Sequence, residues 1–124
     1  MDDRAFTELL EFLDRVPAVQ GPIGKGADEE GRWWVKFSIN IGHALAWHTV
    51  QELGHVLNLL SLEERLPTSF HPVSPPPYMN GGPEEFLSWV IECHDPEFRP
   101  GTCAEWLSGR LPNPVEDIEQ WMAE

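Results

Sequence analysis

Arg32-Trp33-Trp34-Val35-Lys36-Phe37-Ser38-Ile39-Asn40-Ile41 is the stretch that decides the fold. Trp33, Val35, Phe37, Ile39 and Ile41 fall on one face, and Trp34, Lys36, Ser38 and Asn40 on the other. Period-two alternation built from aromatic and β-branched residues reads as a half-buried strand, ended by Gly42. A strand with one wet face needs neighbours on both sides and a layer over its apolar face.

The flanking segments supply candidates for both. On the N-terminal side, Phe6, Leu9, Leu10, Leu13 and Val16 recur at helical spacing over residues 3–16, and Pro17 stops the run. Gly21-Pro22-Ile23-Gly24-Lys25-Gly26 and Asp28-Glu29-Glu30-Gly31 carry turn chemistry, with room for a short strand near 18–24. On the C-terminal side, residues 44–62 read as a central helix. Ala46, Trp47, Val50, Leu53, Gly54, Leu57 and Leu60 form its inward stripe. Its opposite face, with Leu45, His48, Glu52, His55, Val56 and Leu59, is only half polar, which allows a second contact such as a homodimer partner.

Residues 67–83 hold six prolines and two glycines, which excludes a helix, although Thr68–Val73 suits an edge strand. Residues 85–93 have helix-like Pro83-Glu84-Glu85 before them, but the block Phe86, Leu87, Trp89, Val90, Ile91 has strand length and composition. Pro100-Gly101-Thr102 opens a short helix through Trp106 and Leu107, and Pro114 opens a last one with Val115, Ile118, Trp121 and Met122 inward. The expected architecture is α+β: a small antiparallel sheet of 3–4 strands with helices on one face, in partly ferredoxin-like order.

The 124 residues form one acidic globular domain, with 8 Lys+Arg against 21 Asp+Glu and a net charge of -13. Residues 31–60 contain one acid and two bases, so this middle segment reads as core, with the charge carried by its flanks. Such a charge disfavours nucleic acid and anionic membrane as partners, since both are polyanions. No apolar run approaches the ~20 residues of a membrane span, and Met1-Asp2-Asp3-Arg4 is not a secretion signal, so a cytoplasmic location is expected. There Cys93 and Cys103, which form no C-x-x-C pair, are expected to be ordinary thiols, the alternative being a disulfide that closes the short 93–103 loop.

Gln51-Glu52-Leu53-Gly54-His55 is similar to the H-E-x-x-H motif of zincin metalloproteases, with Glu52 at the general-base position and His55 at the second ligand. Gln51, a poor zinc ligand, stands where the first histidine belongs. His48 lies two turns from His55, about 10.5 Å along the axis, too far to replace it simply. A looser metal or acid–base site would combine His48, Glu52 and His55 with His71, His43 or His94. The competing reading is a set of polar residues on the wetter helix face.

Pro75-Pro76-Pro77-Tyr78 fits the proline–proline–any–tyrosine pattern of WW-domain ligands, against the alternative of a stiff surface loop. The adjacent acidic pairs Glu63/Glu64 and Glu84/Glu85 do not face one another and read as solvated charge. There is no G-x-S-x-G elbow, and Gly21–Gly26 lacks the Lys-Ser/Thr ending of a P-loop. No cofactor is therefore expected.

Two functional readings remain. The first, preferred, is a non-catalytic acidic domain that binds a basic protein, with Trp34, Phe70 and Tyr78 as contact residues. Small acidic inhibitors such as bacterial immunity proteins share this charge profile, although no motif carries the comparison. The second is a small metal-binding or hydrolytic enzyme using His48, Glu52 and His55.

Overall fold

A computed structural model describes residues 3–59, 67–73 and 86–123. Four strands form an antiparallel sheet: β1 (Val19–Ala27), β2 (Trp33–Asn40), β3 (Thr68–Pro72) and β4 (Phe86–Cys93), in the order β1-β2-β4-β3. Helices α1 (Thr7–Arg15), α2 (Ala46–Gly54), α3 (Pro100–Arg110) and α4 (Ile118–Met122) complete the α+β architecture.

β2 is the strand that its alternation predicts. Trp33, Val35, Phe37 and Ile39 are buried, and each residue from Trp33 to Asn40 pairs in register with β4, from Cys93 to Phe86. Their inner-face neighbours are Ile91 and Trp89 on β4 and Phe70 on β3. Phe70 stacks on Trp89 at 4.8 Å between centroids and lies 6.1 Å from Phe37, so one aromatic row crosses three strands. α1 presses Leu9, Phe12 and Leu13 onto this face, and α2 adds Ala46 and Leu53. The buried Thr49 hydroxyl donates to the Pro17 carbonyl at 2.7 Å, fastening α2 to the α1–β1 link. Trp33 donates its indole N–H to the Phe98 carbonyl at 2.7 Å, which anchors the chain between β4 and α3.

β2 and β3 run parallel with β4 inserted between them, and α2 connects them: a split β-α-β unit. The order α1-β1-β2-α2-β3-β4 is a circular permutation of the ferredoxin-like order. β1, which comes early in the chain, takes the edge that the final strand fills in the unpermuted arrangement.

Four expectations need correction. The short strand expected near 18–24 is present and longer: the glycine-rich stretch 21–26, read as turn chemistry, lies within β1. Its glycines give Trp34 a flat seat: the ring lies lengthwise over Gly24 and Gly26, and a Cβ on Gly26 would come within 2.8 Å of it. The central helix is α only from Ala46 to Gly54 and continues as a π-helical turn, His55–Leu59; residues 60–62 lie outside the described residues. Trp47, placed on the inward stripe by periodicity, is 56% exposed; Thr49 and Val56 are buried in the stripe instead. At the C-terminus Pro114 does not open the helix. α4 begins at Ile118, where the Asp117 carboxylate accepts the Glu119 amide at 3.0 Å. Val115 and Trp121 are buried there, but Ile118 and Met122 face out.

The two sheet edges are guarded differently. β1 carries Pro22 and two register shifts between Gln20 and Gly24, which break its outer ladder. β3 is covered by the π-helical turn: the Asn58 amide donates to the Phe70 carbonyl at 2.8 Å and accepts the Phe70 N–H at 2.7 Å. Thr68 Oγ1 donates to the Leu57 carbonyl at 3.0 Å beside it.

Candidate functional site

With the helices on one face, alternation sends Trp34, Lys36, Ser38 and Asn40 to the other. Trp34 is 40% exposed, although it belongs to a central strand. Across the sheet it is flanked by Gly26 on β1 and Glu92 on β4, with Ser69 of β3 beyond Glu92. An open depression of about 360 Å³ lies at this end, lined by Ala27, Asp28, Arg32, Trp33, Trp34, Glu92, Cys93 and His94.

The β1–β2 turn forms one wall and is stiffened by charge. Asp28 accepts the Glu30 and Arg32 amides at 2.9 and 3.0 Å and the Arg32 Nε–H at 2.7 Å. Lost hydration opposes ionisation of Asp28, but the bonds from Arg32 and from the two amides outweigh it and hold its pKa below the ordinary aspartate value. Arg32 also reaches Glu30 at 3.2 Å. Gly31 needs its positive φ of 87° and sits against Pro96, where a Cβ would come within 2.8 Å. The turn therefore packs on the 94–97 loop, whose Asp95 side chain accepts the Glu97 amide at 2.9 Å. Segments 27–34 and 92–97 together carry six carboxylates against one base, Arg32. Of these, Asp28 and Glu30 are paired with Arg32, and Asp28 and Glu92 are the carboxylates that line the depression itself.

The other contact candidates separate. Phe70 does not flank a groove: it is 4% exposed and locked in the aromatic row of the core. Tyr78 and the proline motif lie outside the described residues. His48 and His55 are exposed and Glu52 half-buried on α2 and its π-helical extension. His71 follows the inward Phe70 and so lies on the opposite face of the sheet from α2, its Nε2 3.7 Å from Glu92 Oε1. The fold does not bring His71 to the helix histidines. His43 Nδ1 accepts the Leu45 amide at 3.0 Å. Among the described residues no three His, Cys, Asp or Glu side chains gather into a metal-ligating group.

Cys93 and Cys103 are buried free thiols. Burial raises both pKa values, that of Cys103 far above the ordinary thiol range, which disfavours the reactive thiolate. A second, larger groove of about 530 Å³ runs between α1 and α3, with Glu8, Glu11 and Glu105 on its rims and Phe12 and Ala104 in its floor.

Sequence reasoning singled out Trp34 but not Asp28 or Glu92, which line the same depression. The signal for Glu92 was its position one residue past an inward Ile91. The signal for the seat was the alternation of Gly24 and Gly26 opposite a tryptophan. No helix among the described residues is long and apolar enough to cross a membrane. Comparison with protein-family models, with curated proteins and with solved structures finds no match to this chain.

Proposed function

We propose that the chain is a non-catalytic binding domain, inhibitor- or immunity-like, for a basic protein. The observation that carries this reading is Trp34. A large aromatic stands on the outward face of a central strand, fixed by a glycine seat and beside a depression that Asp28 and Glu92 also line. Tryptophan held in one orientation loses little entropy on binding, and it is enriched among residues that dominate interface energy. The net charge of -13 supports the basic partner, since opposite charge accelerates encounter. The guarded edges of β1 and β3 favour docking on the sheet face over addition of a strand.

The test is native mass spectrometry of untagged protein from its own host at low salt, repeated with Trp34→Ala. The reading expects a co-purifying basic protein that is lost as salt rises and binds roughly tenfold or more weakly to the variant. A partner held equally well by Trp34→Ala, or a neutral or acidic one, would overturn it.

A further inference from the structure

We infer that the depression beside Trp34 receives a guanidinium group, an arginine side chain of the basic partner, stacked on the open side of the indole and paired with Glu92. The inference rests on the protein-binding reading and adds the chemistry recognised at its centre. Trp34 and Glu92 are directly opposite on β2 and β4. Side chains so paired have Cβ atoms about 5 Å apart. The indole leans over β1 and the Glu92 carboxylate toward His71 on β3, but both side chains line the same depression, so a planar cation on the β2 side of the indole meets Glu92 once that carboxylate turns from His71. The Glu92 contact with His71, at 3.7 Å through one oxygen, leaves the carboxylate's remaining acceptor capacity unfilled by that pair.

The chain already uses both halves of this recognition. Arg32 shows the pairing: its guanidinium spans Asp28 at 2.7 Å and Glu30 at 3.2 Å in the turn that walls the depression. Arg110 shows the stacking: its Cζ lies 3.6 Å from the centroid of the Trp106 ring. A guanidinium offers a flat face and a donor fork at once, whereas a lysine ammonium is a compact, strongly hydrated charge with neither. The site should therefore prefer arginine over lysine rather than respond to positive charge alone.

The experiment titrates the intact chain with blocked arginine (N-acetyl-arginine methylamide) and with its lysine counterpart, following the Trp34 indole N–H and the backbone amides by NMR. Saturable shifts at Trp34, Ala27, Glu92 and His94, at least threefold tighter for arginine, are expected. Glu92→Gln, which preserves size and shape on an exposed face, should abolish the preference while an unchanged amide spectrum elsewhere reports the fold. Shifts spread over the acidic surface, or equal for the two amino acids, would overturn the inference. A basic partner that binds through Trp34 without arginine preference removes this inference alone. A saturable arginine site with no basic partner removes the protein-binding reading alone.

Discussion

The side-chain amide of Asn58 grips the backbone of Phe70 at both its carbonyl and its N–H, at 2.8 and 2.7 Å, as a neighbouring strand would. One residue of a π-helical turn thereby occupies hydrogen-bonding positions on the outer edge of β3 that an incoming chain would need. Asn58→Ala should lose both bonds, at about 1 kcal/mol each, or about 2 kcal/mol in total. Asn58→Asp should cost more, because one carboxylate oxygen would then oppose the Phe70 carbonyl. Urea unfolding gives the order; an alanine variant more damaging than the aspartate one would show that the donated bond is unimportant. Light scattering of Asn58→Ala should also reveal concentration-dependent association through the uncovered edge.

Gly26 and Gly24 seat the same indole but at different clearances. A Cβ on Gly26 would meet the Trp34 ring at 2.8 Å, whereas on Gly24 it would stand 3.5 Å away, an ordinary contact. Gly26→Ala should push Trp34 out of position, shifting its indole N–H resonance and weakening partner binding about as much as Trp34→Ala. Gly24→Ala should leave both unchanged. Equal effects from the two variants would show that strand stiffness, rather than the seat, matters.

This seat also marks the limit of what the sequence disclosed. The alternation of Trp33 to Asn40 made β2 and its inward face readable, because period-two burial is a local property, but whether a terminal helix would cover Trp34 was not. Only a short strand near 18–24 was readable here, and its continuation to Ala27 was not: glycine and proline signal turns, and the tryptophan of the adjacent strand explains why side-chain-free positions are wanted at Gly24 and Gly26. Trp47 misled for a related reason. A helical stripe fixes which residues share a face, but the buried face of α2 is turned to bury Thr49, whose hydroxyl has a partner in Pro17, and leaves Trp47 out. Phe70 looked available because its neighbours are prolines and a histidine; its place in the aromatic row depends on strands distant in sequence.

That hydroxyl gives a direct test of how α2 is attached. Thr49 is fully buried and donates to the Pro17 carbonyl at 2.7 Å. Thr49→Val keeps the shape and leaves the carbonyl without its donor, which should cost about 1–3 kcal/mol. Thermal and urea unfolding would measure it. A variant as stable as the parent would mean that the contact contributes nothing to docking the helix.

Burial of the two thiols predicts a loss of stability at alkaline pH. In the unfolded chain a cysteine ionises near pH 9.0, and in the fold burial pushes Cys103 far above that value. Between the two values the folded chain holds a proton that the unfolded chain has released. The contribution of Cys103 is therefore full below about pH 8 and declines as pH rises past 9, by up to about 1.4 kcal/mol per pH unit. Cys93, raised in the same direction, adds to the slope. Urea unfolding from pH 7 to 11 should show a plateau and then a fall that is shallower in Cys103→Ala, whose stability is lower on the plateau because a buried side chain is lost, so that the two curves converge as pH rises. Lysine and tyrosine titrate alike in the two proteins, so the difference between the curves isolates the thiol. Parallel curves for parent and variant would mean that the Cys103 proton is not retained by the fold.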